Sequence, residues 1–142
     1  MRDPDDGLRD LLIANLLRLH CQTVELGLIA AGVPDLNYCG RGAEGWVECK
    51  ATSGFAVKVR PFQVAWIERR LRFGGRVFVA VRRRRPGGPR RGNGIDELWL
   101  YEGQAIRRLA DAGLRTASGL IGTFTGGPSA WDWDEVTLLL TR

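Results

Sequence analysis

The sequence predicts one mixed α/β domain, with helices packed against a central sheet. Three observations carry this expectation. The chain has 142 residues, the length of a single domain. It is 44% AVILMFWYC with five tryptophans, enough apolar matter for a core and too much for a disordered chain. Helical and strand periodicities also alternate along it, around a segment, Val77-Phe78-Val79-Ala80-Val81, that is apolar on both faces. Such a strand belongs in the middle of a covered sheet.

Residues 6–20 carry Leu8, Leu11, Leu12, Asn15, Leu16 and Leu19 at helical spacing and predict an amphipathic helix, with His20 and Cys21 packing at its end. Gln22 to Leu28 reads as a short strand or irregular chain. Leu36-Asn37-Tyr38-Cys39 and Trp46-Val47-Glu48-Cys49-Lys50-Ala51 read as two strands. The glycine-rich turn between them makes a hairpin. Pro61 opens a helix whose stripe is Val64, Ile67 and Leu71, and Gly74-Gly75 ends it. After the central strand, residues 82–94 (RRRRPGGPRRGNG) predict a mobile basic loop. Ile95 to Tyr101 resumes as a strand, Gly103 to Leu114 as a helix, and Trp131 to Leu140 as a last helical segment.

The formal net charge is +5 and the isoelectric point about 9.7, which points to a polyanionic partner. Of the 21 basic residues only Lys50 and Lys58 are lysines. The arginine bias has two open sources, coding in a GC-rich genome or phosphate recognition by planar guanidinium forks. No apolar run reaches the roughly 18 residues of a spanning helix, and the acidic start MRDPDDGLRD is unlike a secretory leader. A soluble, cytoplasmic protein with no membrane partner is therefore expected. Cys21, Cys39 and Cys49 form no CxxC pair and His20 is the single histidine, so structural zinc is not expected, and the thiols read as reduced and mostly buried. No G-x-S-x-G elbow and no G-x-x-x-x-G-K-[ST] loop occurs, which removes most hydrolase and nucleotide-binding chemistries.

The chemistry-bearing constellation lies on the hairpin. Asp35 starts one strand, and Glu48 and Lys50 stand two apart on the next, so their side chains leave one face. Two carboxylates and the backbone carbonyl of Cys49 form a hard oxygen set suited to Mg²⁺, with Mn²⁺ able to substitute. Lys50 is a lysine in an arginine-rich chain; a lysine can surrender its proton when desolvated and an arginine effectively cannot. The competing reading is an exposed Glu48–Lys50 pair of little energetic consequence.

The run Gly32-Val33-Pro34-Asp35 followed by Glu48-Cys49-Lys50 resembles the P-D…(D/E)-x-K signature of the PD-(D/E)XK nuclease superfamily, and within it the small VRR-NUC and Holliday-junction-resolvase-like branches common in phages. Glu25 lies upstream where such proteins often place another acidic residue, and Gln63 follows in R-P-F-Q where they often have glutamine. The resemblance covers roughly residues 25–82. It implies a restriction-endonuclease-like αβββαβ core, a mixed sheet flanked by helices, and Mg²⁺-dependent hydrolysis of DNA phosphodiester bonds. It implies structured or branched DNA as substrate, in phage or prophage replication, recombination or repair. It also implies Asp35, Glu48 and the Cys49 carbonyl as metal ligands, Lys50 as the group positioning the attacking water, and a homodimer.

Two assisting roles stay open. Glu25 either adds a carboxylate or faces solvent, and Gln63 either caps its helix or bridges by its amide to the metal-site water. Arg60, Arg82, Arg83, Arg84, Arg85, Arg90 and Arg91 are the expected contacts to the DNA backbone. Trp131 and Trp133 are the tryptophans placed as candidates for base stacking; the others read as core. The alternative function is a module on a nuclease-like fold that grips nucleic acid without cutting it.

Overall fold

Strand pairing follows from the turn chemistry of the hairpin. The computed structural model describes residues 5–24 and 32–142. β2 (Leu36–Gly40) and β3 (Ala43–Thr52) are antiparallel, with Gly40 opposite Ala43. The two residues between them, Arg41 and Gly42, have φ of 53° and 79°, the left-handed pair that a tight hairpin loop requires. β1 (His20–Thr23) adds to the far edge of β2. His20 and Cys21 thus open a strand; they do not end a helix.

α1 is shorter than expected, Leu8–Asn15. Its apolar spacing persists beyond it, and Leu16 and Leu19 are still buried. The chain leaves the helical region at Leu16 (φ −86°, ψ 63°) to reach β1.

α2 (Pro61–Arg72) connects β3 to β4 (Val77–Arg85), which run parallel with Glu48 beside Val79 and Lys50 beside Val81. A parallel pair needs such a crossover, and a helix supplies it. β5 (Ile95–Glu102) returns antiparallel to β4 and β6 (Leu120–Phe124) antiparallel to β5, giving a six-stranded mixed sheet in the order β1-β2-β3-β4-β5-β6. β6 was not expected from the sequence. The helical segment expected from Gly103 is α3 (Ile106–Ala112) between two short 3₁₀ turns. α4 (Trp133–Thr141) starts at Asp132, whose side chain accepts the Glu135 N–H at 3.0 Å.

The helices divide between the two faces. α1 and α4 cover Leu36, Tyr38, Val47, Cys49, Phe78, Ala80, Leu98 and Leu100. α2 and α3 cover Val77, Val79, Val81 and Tyr101 through Val64, Ile67, Ile106 and Leu109. Each fully buried Leu or Ile contributes about 1.5–3 kcal/mol. Among the described residues no helix is long and apolar enough to cross a membrane.

One expectation is corrected outright. The basic loop does not begin at residue 82, because β4 runs on to Arg85 and the connecting segment is 86–94. Arg82 and Arg83 are each 7% exposed. Arg82 Nε and Nη2 donate to the two carboxylate oxygens of Asp96 at 2.9 and 2.8 Å, and Arg83 Nη1 donates to Glu97 at 3.1 Å. Buried guanidinium groups need such partners, and β5 delivers them. Arg82 and Arg83 are therefore tied into the sheet, not presented to a partner. Trp131 and Trp133 are likewise structural. Trp131 is 3% exposed, and the two indole N–H groups donate to the Asp96 and Pro128 carbonyls. The thiols differ from expectation too, with Cys49 buried, Cys21 half-buried and Cys39 exposed.

Candidate active site

Residue alternation places Glu48 and Lys50 on the α2 face of β3, since Val79 and Val81 beside them belong to that face and Cys49 to the other. The β2/β3 register explains Asp35. The β2/β3 ladder ends at the Leu36–Val47 pair, and Asp35 stands in the bend just before it, at the end of the ladder that leads to Glu48. The Asp35 charge raises Glu48, and two carboxylates near each other repel, so this arrangement is not there for stability. Pro34, just before Asp35, has no N–H to continue the ladder. The Cys49 N–H goes instead to Asp35 Oδ2 at 2.8 Å, and the Cys49 carbonyl, which leaves the same edge of the strand, meets no donor from Pro34.

The segment before β2 lies against the start of α2. Gly32 has φ 89°, and a Cβ there would fall 2.3 Å from the Phe62 carbonyl oxygen; only glycine allows this approach. Asp35 and Gln63 are thereby brought to the same end of the sheet.

Gln63 caps its helix and also touches two of the candidate site residues. Its Oε1 accepts from the Arg60 N–H at 3.0 Å, capping the helix, and from Lys50 Nζ at 2.7 Å. Its Nε2 donates to Glu48 Oε1 at 3.4 Å. Lys50 Nζ stands 3.8 Å from Glu48 Oε1, with side-chain exposures of 14% and 3%. The exposed-pair reading of Glu48 and Lys50 does not hold.

Charge is disfavoured here. Burial above all, then the negative charge of Asp35 and a hydrogen bond shared with it, push the Glu48 carboxyl from 4.5 up to about 9, against the opposing pull of Lys50. Burial lowers the Lys50 ammonium below its usual range. Burial also pushes the Cys49 thiol well up, so Cys49 enters as backbone and not as a nucleophile.

The donor set fits a divalent ion on one further observation: no N–H or O–H donor reaches the buried Glu48 Oε2, so within the Asp35–Glu48 pair only a shared proton relieves the two carboxyls. A buried carboxyl oxygen in that condition is costly unless something binds it. Asp35, Glu48 and the Cys49 carbonyl are the atoms that would hold a hard cation. Among the described residues no three His, Cys, Asp or Glu side chains converge as a ready ligand group, and Glu25 lies outside the described residues.

Sequence reasoning missed Asp5. It is 7% exposed, and its carboxylate accepts the Gly7 and Arg9 N–H groups at 3.0 and 3.1 Å at the start of α1. Its negative charge contributes to raising both Glu48 and Cys49. The available signal was an N-cap type of residue just ahead of a helix, which indicates a cap and nothing more. Of the expected DNA-contacting arginines, Arg60, Arg84, Arg85, Arg90 and Arg91 are exposed, although Arg84 also approaches Asp6 at 3.7 Å.

No family model matches this chain, and a search of curated proteins finds no relative of it.

Proposed function

We propose that this protein is a divalent-metal-dependent DNA endonuclease built on a restriction-endonuclease-like core. The observation that carries the reading is the convergence of Asp35, Glu48, Lys50 and Gln63 at one end of the sheet, with a buried Glu48 oxygen that no N–H or O–H donor reaches. The element order α1-β1-β2-β3-α2-β4 supports it, because it repeats the αβββαβ order that the resemblance implies.

The roles follow from the geometry. Asp35 and Glu48, with the Cys49 carbonyl, would hold Mg²⁺ or Mn²⁺, which would supply Lewis-acid polarisation of the phosphodiester and acidify water. Lys50 is fixed by Gln63 Oε1 and has a weakened hold on its proton, so it orients the attacking water and faces the charge developing on the phosphoryl oxygens. Gln63 keeps Lys50 and Glu48 in mutual register from the rigid first turn of α2. Arg60 and the exposed arginines of the 84–91 region hold the DNA backbone through sequence-independent contacts.

A second reading, a module that binds nucleic acid without cutting it, draws on the extent to which Gln63 already satisfies Lys50 and Glu48 from within. Incubation of supercoiled plasmid with Mg²⁺, Mn²⁺ or EDTA separates the two. The nuclease nicks with either metal, stops in EDTA, and loses the activity in Asp35→Ala. Nicking that persists in EDTA, or in Asp35→Ala, contradicts the proposal.

A further inference from the structure

α2 carries a second pattern beside its core stripe, exposed at its two ends and half-buried at Trp66, which packs against Trp46 and the core. Phe62, Trp66, Arg69 and Phe73 follow one another at intervals of four, three and four residues, one above the next on a helix, with Arg70 beside them. The stripe runs about 16 Å. Phe62 is 43% and Phe73 81% exposed, unusual for phenylalanine.

Its polar partners are all cationic. The Arg60 guanidinium stands 5.9 Å from the Phe62 ring centre, and that of Arg70 stands 4.7 and 5.5 Å from those of Trp66 and Trp46. The one acidic residue of α2, Glu68, is turned to the other flank and bound by Arg107 at 2.6 and 3.1 Å. The far end is built to a shape. Gly75 donates its N–H to the Arg70 carbonyl at 3.0 Å. A Cβ on Gly75 would fall 2.6 Å from the Arg70 Cγ and Cδ, so glycine is what lets that side chain lie flat towards the tryptophans. A groove of about 420 Å³ results, lined by Trp66, Arg69, Arg70, Phe73, Gly74 and Gly75.

We infer that this stripe binds an unpaired segment of the DNA substrate, leading it away from the candidate active site along α2. The inference rests on the nuclease reading and adds to it a surface that distinguishes unpaired from paired strands. Aromatic rings alternating with guanidinium groups, exposed here at Phe62 and Phe73, are the chemistry of single-strand binding: rings and guanidinium planes stack on bases, and the cations track phosphates. Paired bases inside a duplex offer no free face to such rings. The stripe begins on the first turn of α2, the turn that also carries Gln63, which contacts Lys50 and Glu48. A cleaved bond flanked by an unpaired arm satisfies both surfaces.

The test is fluorescence anisotropy in EDTA, so that binding is read without cleavage, using a labelled oligothymidylate and a blunt hairpin duplex. Phe73→Ala should weaken oligothymidylate binding by about 10-fold and leave the duplex within twofold, with Phe73→Tyr restoring it; Arg69→Ala should weaken both. Phe73 is exposed enough that neither replacement should move the melting temperature, which checks the fold. Unchanged oligothymidylate affinity in Phe73→Ala, or equal loss on both forms, overturns the inference. So does a change of sedimentation mass without a change of oligonucleotide affinity, since the stripe would then be a contact between copies of the chain. Plasmid nicking with Mg²⁺ that survives such a result leaves the nuclease standing without the stripe. Binding that behaves as expected without any nicking does the reverse.

Discussion

Two groups of buried charges lie on neighbouring strands, on the two faces of the same sheet, and are treated oppositely. On β4, Arg82 meets Asp96 in a two-pronged contact at 2.9 and 2.8 Å and also donates to the Asp6 carbonyl at 2.9 Å. The hydrogen bond to Asp96 raises the Arg82 pKa above its ordinary value, so charge there is favoured. On β3, Glu48 faces a second carboxylate, has a 3.8 Å approach from Lys50 and a long 3.4 Å hydrogen bond from Gln63 on one oxygen, and no N–H or O–H donor reaches the other. Its pKa moves in the direction that disfavours charge. The first cluster is closed and ties β4 to β5 and to the start of α1. The second is incomplete in a way that an added cation would complete, and the difference separates a structural ion pair from a site.

The largest expected effect breaks the open cluster. Glu48→Gln should lower plasmid nicking by about 10³-fold or more, measured under single-turnover conditions with Mg²⁺. The same change should not cost stability in EDTA. Glu48 titrates at 4.5 when unfolded and about 9 when folded, so its neutral form is the one the fold favours. Its contribution is fully present below pH 4.5 and is lost as pH rises towards 9. The melting temperature of the wild type should therefore fall relative to that of Glu48→Gln across this interval. A difference that is constant with pH would contradict the assigned burial and repulsion.

Breaking the closed cluster should show the opposite signature. Asp96→Ala strands a buried guanidinium and should cost about 3–5 kcal/mol of stability, read from urea unfolding. The protein that remains folded should keep its affinity for Mn²⁺. Replacing both partners, as Arg82→Met with Asp96→Leu, should recover much of that loss. An intermediate effect is expected for Gln63→Ala, which leaves the carboxylates but releases Lys50. Nicking should fall about 10- to 100-fold with metal affinity nearly unchanged. The smallest effect belongs to Arg90→Ala with Arg91→Ala. The melting temperature should not move, while the dependence of log affinity on log salt should become shallower by roughly one for each phosphate no longer neutralised.

The same comparison shows what could be read from the chain and what could not. The open cluster was legible because its residues are local. A hairpin turn sets the register of β2 on β3, and period-two alternation then puts Glu48 and Lys50 on one face. The closed cluster was not. Four consecutive arginines read as a solvated run, and the burial of the first two, Arg82 and Arg83, depends on Asp96 and Glu97, residues on the next strand that only the β4/β5 pairing brings near. β6 stayed hidden for a related reason. Its LIGTF segment carries Gly122, a weak strand former, where a Cβ would crowd Phe124 and Leu139 at 3.0–3.2 Å. The short α1 and the electrostatic reach of Asp5 to Glu48 likewise rest on tertiary structure that no local pattern encodes.

The central claim is that Asp35 and Glu48 together hold a divalent ion. Titration of Mn²⁺ into the metal-free protein, followed by the loss of the free-ion electron paramagnetic resonance signal, tests it without reference to any substrate. At least one ion should bind to the wild-type chain, and binding should be lost over the same concentration range in both Asp35→Ala and Glu48→Gln while both remain folded. Equal Mn²⁺ uptake by the wild type and the two variants would contradict it.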